Sequence, residues 1–300
     1  MIHRLSPWLL AALLVGLVLG GNSGEARPLQ VVATFSILQD FVQQVGGEAV
    51  AVQALVPLGA DPHTWEPSPR DAVLLAKADL VVANGAGFDD WLLPLVQGAV
   101  RPGVPVILLA EEGMSLLAGG HGNHGHEHAA DPHLWLSVAN AVAYVERIAD
   151  VLRELRPEQE AYFAQRSGDY TTRLWALDEK LEKELGRIPA ENRVIVTYHN
   201  AFSYLAERYG FSVAEFLVEN PEAEPNPREL GRLVGLLQSL GRPVVFTEPQ
   251  LTSGTRYMQT LAREAGAQVF TLYSDSLTAE VPTYIDMMEH NLQVLLEALQ

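Results

Sequence analysis

Short apolar runs alternate with amphipathic stretches along most of this chain. Residues 29–34 are apolar and β-branched and predict a strand. Ser36 is placed to cap a helix over 37–45, which Gly46-Gly47 would end. Residues 51–58 predict the next strand. Ser68-Pro69 then opens a helix to about 76, with proline in its first turn. Strand 80–84, helix 88–97 and strand 104–109 follow. Beyond the middle of the chain the rhythm returns. Strands over 192–198, 211–217, 244–247 and 268–273 alternate with helices over 201–208, 227–240, 254–265 and 281–299. Such alternation predicts an α/β fold of two lobes, each a parallel sheet with helices on its faces. Strands covered on both faces should be apolar throughout.

Between the two series lie two helical patterns, 138–155 and 157–185. In the second, Phe163, Tyr170, Leu174, Leu177, Leu181 and Leu185 recur at helical spacing. Pro157 suits its first turn, and Glu158 and Glu160 lie near the positive end of its dipole. At 1.5 Å per residue it would run roughly 40 Å, which suits a rigid rod joining two lobes. The start of the chain has another character. His3 and Arg4 precede an apolar core over 8–19, and Gly24-Glu25-Ala26 offers a small-x-small cleavage site. The expected division is a signal peptide over 1–26, an N-terminal lobe over 27–155, the linking helix over 156–187 and a C-terminal lobe over 188–300. The signal's apolar core is short for a bilayer span, so no stable membrane insertion is expected after cleavage.

Charge narrows the partners. With 37 acidic side chains against 20 basic ones the net charge is −17. This disfavours nucleic acid and anionic membrane and leaves cations as plausible ligands. The chain has no cysteine. Disulfides, thiolate metal ligands and thiol nucleophiles are excluded, and so is the lipidated cysteine that tethers many exported bacterial proteins. A soluble, monomeric periplasmic protein is expected.

The candidate chemistry sits where the predicted strands end. Asp61-Pro62-His63-Thr64-Trp65 recurs as Asp131-Pro132-His133-Leu134-Trp135. His199 closes the run 194–198, and Asp275 follows the run 268–273. In parallel α/β sheets, ligands bind beyond the carboxyl ends of the strands. Imidazole is the commonest metal ligand, and a carboxylate adds charge neutralisation. Three histidines and one carboxylate suit tetrahedral Zn2+ and could also hold Mn2+. Proline before each histidine makes Asp61 and Asp131 candidates for orienting the rings, and Trp65 and Trp135 for excluding water. Ser274-Asp275-Ser276 could instead be a turn or a cap, with Glu66, Glu248 or Asp61 in the fourth place. A glycine- and histidine-rich segment over 119–130 holds His121, His124, His126 and His128. It reads either as a loop that captures metal or as a linker. His290, in the final helix, reads as a surface residue.

These motifs resemble those of the TroA-like (cluster A-I) solute-binding proteins, which serve zinc and manganese ABC importers. Asp61 to Pro69, Asp131 to Leu136, Tyr198 to Phe202 and Tyr273 to Leu277 resemble the family's four ligand motifs in order. The resemblance covers nearly the whole mature chain and implies two α/β lobes joined by one long helix. It implies a receptor that takes a divalent ion into the cleft between the lobes and releases it to a membrane permease. Manganese binders of the family commonly have glutamate at the third position, so His199 and the histidine-rich segment resemble the zinc-uptake side. Ligating imidazoles must be neutral, and affinity should fall as pH drops below about 6. Two other classes compete. One is a zinc hydrolase with three histidines, an open water position and Glu248 or Glu66 as base, although no His-Glu-x-x-His motif or nucleophile elbow is present. The other is an exported adhesin.

Overall fold

The protein is described here by a computed structural model covering residues 27–111, 113–118, 130–218, 221 and 223–300. The expected signal over 1–26 and the histidines His121, His124, His126 and His128 lie outside these residues. Two four-stranded sheets organise the chain. The first holds β1 (Leu29–Ala33), β2 (Val50–Ala54), β3 (Leu80–Ala83) and β4 (Val106–Leu108) in the order β2-β1-β3-β4. The second holds β5 (Val194–His199), β6 (Ser212–Val218), β7 (Val244–Thr247) and β8 (Gln268–Thr271) in the order β6-β5-β7-β8. Every pairing is parallel, and the two sheets share one topology.

Parallel strands need crossovers, and helices supply them. The N-terminal half uses α1 (Ser36–Gly46), α2 (Pro69–Lys77) and α3 (Leu93–Ala99). The C-terminal half uses α6 (Ser203–Tyr209), α7 (Pro227–Ser239) and α8 (Thr252–Ala265). As expected, Pro69 sits in the first turn of α2, where Ser68 and Asp71 form a capping box. The inner strands β3 and β7 are buried at every position. Strands at the sheet edges are not: β2 alternates, and β8 is largely exposed. Continuous apolarity therefore belongs to the strands with a neighbour on each side.

Between the halves run α4 (Val138–Leu155) and α5 (Glu160–Leu185), and α9 (Tyr284–Leu299) closes the chain. The 26 residues of α5 follow a short 3-10 turn that takes up Pro157. The predicted stripe Phe163, Tyr170, Leu174, Leu177, Leu181 and Leu185 is buried. The helix packs against α1, α4, α6 and α9. One continuous apolar core therefore includes Val31 and Phe41 near the first sheet, Leu174 and Leu181 on α5, and Phe246 and Leu292 in the C-terminal half. A joint filled in this way resists hinge bending, because opening it would expose close-packed apolar surface.

Two local expectations are corrected. Ser36 does not cap α1; Phe35 holds that position, and the Ser36 hydroxyl accepts the Leu277 backbone N–H at 2.9 Å. The helix expected over 88–97 begins later, in a 3-10 turn from Asp90 that leads into α3. The Asp89 carboxylate accepts the N–H groups of Asn84 and Gly85 at 2.7 and 2.9 Å. This folds Gly85-Ala86-Gly87 into three successive positive-φ residues and turns Phe88 inward.

Candidate metal centre

Each of the four expected side chains comes from at or beyond a strand's carboxyl end. His63 lies in the loop after β2, and His133 lies beyond β4, before α4. His199 is the last residue of β5, and Asp275 follows β8. The structure brings the four together, with one donor atom of each within 4.8 Å of all the others. His199 Nε2 is 3.2 Å from Asp275 Oδ2 and 3.4 Å from His133 Nε2. His63 Nε2 is 3.5 Å from Asp275 Oδ2, and His133 Nε2 is 3.6 Å from Asp275 Oδ1. A tetrahedron with metal–ligand bonds of 2.0–2.1 Å has edges of about 3.3 Å. The donors thus surround a space of one ion's size.

Unpaired groups point the same way. His63 Nε2 and Asp275 Oδ1 are buried without a hydrogen-bond partner. Leaving such atoms unpaired is costly unless a ligand takes them up. Three carboxylates, Asp131, Glu248 and Asp275, are buried here, and each faces an imidazole. Burial opposes a charged His199, but Glu248 and Asp275 outweigh it and lift the His199 pKa well above the usual imidazole value. Burial likewise favours a neutral Asp275, but His133, His199 and His63 outweigh it and hold that carboxyl well below its usual range. The pocket thus stabilises positive charge at its centre, and a divalent cation supplies that charge without protons.

The surrounding contacts differ from ring to ring. Asp131 Oδ1 accepts the His133 backbone N–H at 3.0 Å and sits 2.8 Å from His133 Nδ1. Asp131 thus orients its ring, as expected. Asp61 does not: its oxygens accept the His63 backbone N–H and the Thr64 hydroxyl, each at 3.0 Å. Glu248, a candidate for the fourth ligand position, stands behind His199 with Oε1 2.9 Å from Nδ1. Trp135 is fully buried against His133, while Trp65 is partly exposed. Glu66 is exposed and belongs to no metal-sized cluster among the described residues. His290 is half-buried rather than free on the surface; its Nε2 lies 3.2 Å from the Thr271 carbonyl, and its ring packs edge-on to Tyr273.

Several contributors escaped the sequence reading. Phe88 packs edge-on to His63 at 4.7 Å and to Trp135 at 4.9 Å, forming an apolar wall. Asn84 donates to the Pro132 carbonyl at 3.0 Å and so holds the second motif from the end of β3. Buried Asn291 accepts the Tyr273 N–H and donates to the Tyr273 carbonyl, both at 2.8 Å. This anchors the loop that bears Asp275. Among the contacts that join the halves beside the site, Trp135 Nε1–H donates to the Ser274 carbonyl at 2.8 Å, and the Gly59 N–H donates to the Leu277 carbonyl at 2.8 Å.

Comparison with known proteins agrees with this architecture. Residues 31–298 match the family model ZnuA, zinc-uptake complex component A, periplasmic. The iron-binding protein YfeA of Yersinia pestis is 33% identical over 305 residues, covering 96% of each chain. The manganese-binding lipoprotein MntA of Halalkalibacterium halodurans is 32% identical over 290 residues, covering 93% of this chain and 91% of that protein. Among solved structures, a zinc-bound ZnuA 138–173 deletion mutant superposes with a TM-score of 0.80 at 27% identity, covering 91% of this chain and 98% of that one. A manganese-bound periplasmic metal-binding protein from Candidatus Liberibacter asiaticus gives 0.78 at 25% identity, covering 90% and 99%.

Proposed function

This chain belongs to the ZnuA family of periplasmic metal-binding components of ABC transporters, and from that membership we propose that it is a zinc receptor. Membership makes it a metal-binding substrate receptor rather than an enzyme, which removes the hydrolase alternative. The proposed cargo ion sits between the lobes, held by His63, His133, His199 and Asp275. The observation behind this reading is the convergence of those four donors around a space of one ion's size. The receptor then hands the ion to a membrane permease.

Zinc is favoured over manganese by the donor set. Three imidazoles and one carboxylate at tetrahedral spacing match zinc's preferences, whereas manganese takes more oxygen ligands. The relatives named for manganese and iron make manganese the second reading. The proposed organisation keeps a signal over 1–26, lobes over 27–155 and 188–300 and the linking helix over 156–187. Among the described residues no helix is long and apolar enough to cross a membrane. Relatives named as lipoproteins lend no support to the expected absence of an acyl anchor. Zinc and manganese competing for metal-stripped protein, read by native mass spectrometry, test the cargo. One zinc per chain, retained against excess manganese, is expected; manganese retained against zinc would overturn the choice of ion.

A further inference from the structure

Glu248 follows β7, the neighbour of β5 in the second sheet. The register pairs Thr197 with Phe246, so the same spacing two residues further sets His199 beside Glu248. Side chains two apart share a face of the sheet, and the two meet through Nδ1 and Oε1 at 2.9 Å. Both are completely shielded from solvent. Glu248 Oε2 in turn accepts the Ser274 hydroxyl. Gln250 Nε2 donates to Ser274 Oγ at 2.8 Å and lies 3.5 Å from Asp275 Oδ2. Ser274 also offers its carbonyl to Trp135, which packs on His133. One buried chain of hydrogen bonds therefore runs behind His199, past Asp275, to the wall of His133.

Resting on the metal-receptor reading above, we infer that Glu248 is the positioning residue of this site, with Ser274 and Gln250 holding it in place. An acceptor at Nδ1 keeps the proton there and leaves the Nε2 lone pair facing the ion. Through Ser274 the same carboxylate ties the ring to the loop that presents Asp275. The two donors from the C-terminal lobe are thereby set as a unit before any ion arrives. Ser274 is the junction, because its side chain serves His199 and its carbonyl serves the second Asp-Pro-His motif.

The test compares full-length mature protein with Glu248→Ala, Glu248→Gln, Ser274→Ala and His199→Ala, by zinc competition and by 15N NMR of the histidine rings. Glu248→Ala is expected to weaken zinc binding about 10- to 100-fold. It should also abolish the hydrogen-bonded Nδ1–H resonance of His199 in the zinc-loaded protein. Glu248→Gln keeps an acceptor and should restore that resonance and most of the affinity. Ser274→Ala should give a smaller loss of the same kind. If Glu248→Ala does not fold, the other two variants decide. A Glu248→Gln protein with its His199 proton on Nε2, or a Ser274→Ala protein indistinguishable from the parent, overturns the inference. Zinc bound by Glu248→Ala as tightly as by the parent, with the Nδ1–H signal intact, overturns it as well. Tight zinc in His199→Ala would instead sink the metal site itself.

Discussion

The two Asp-Pro-His-x-Trp segments are nearly identical in sequence and differ in what they do. In the second, Asp131 holds both the backbone and the ring of His133, Trp135 is fully buried, and its indole N–H reaches the opposite lobe. In the first, the aspartate is turned to backbone N–H and the Thr64 hydroxyl; among the described residues no carboxylate hydrogen-bonds the His63 ring from behind, and Trp65 stays partly exposed with Nε1 unpaired. The single difference inside the motif, Thr64 against Leu134, follows the same division: Thr64 is exposed and Leu134 is buried. One copy is part of the core and holds its histidine in a fixed place. The other lies at the rim and presents a histidine held chiefly by its loop. Repetition of a motif thus fixes which atoms reach the cluster of donors, while burial sets how firmly they are held.

Truncating the two tryptophans should give the largest contrast. Trp135→Ala removes a filled core position and leaves the Ser274 carbonyl unpaired, so a loss of about 3–5 kcal/mol is expected in urea unfolding. Trp65→Ala removes a half-buried ring and should cost about 1 kcal/mol. Equal losses would place both copies in the core.

The aspartates sharpen the comparison at the site itself. Asp131→Ala frees the His133 ring and should weaken zinc binding about 10- to 100-fold by competition with a chromophoric chelator. Asp61→Ala should cost less than about 10-fold, because no ring depends on it. A larger effect at Asp61 would reverse the assignment of fixed and adaptable copies.

Protons give the smallest and broadest effect. His199 in the metal-free protein has its pKa raised despite burial, because Glu248 and Asp275 favour the imidazolium. An ion taking the place proposed for zinc must displace that proton, so affinity should rise with pH by about one log unit per pH unit for this group. The rise should continue above the ordinary imidazole value rather than level off below pH 7. A raised histidine pKa stabilises the metal-free fold below the unfolded value of about 6.5, and that contribution is lost as pH climbs through the folded value. Melting of the stripped protein should therefore soften from neutral pH upward. A melting point that rises there would contradict the shift.

Much of this was legible in the chain. Apolar runs and punctuating glycines and prolines marked eight strands, and the repeated motif with His199 and Asp275 marked the donors that converge. What stayed hidden depends on contacts between distant segments. Ser36 has the composition of a cap, but a backbone N–H more than two hundred residues away takes its hydroxyl. Phe88 looked like the start of a helix because the turn built on Asp89 is not visible as a pattern. Glu248 invited a ligand role, since nothing in one dimension shows that β7 lies beside β5. Once the strand order is known, parallel register alone places it next to His199.

The most direct test of the central claim is X-ray absorption at the zinc edge of tag-free mature protein loaded with one equivalent. Four nitrogen or oxygen neighbours at about 2.0–2.1 Å are expected, with outer-shell scattering from three imidazoles that falls to two in His133→Ala. A spectrum with one imidazole or none, or one unchanged by that substitution, would contradict a single ion held by His63, His133, His199 and Asp275.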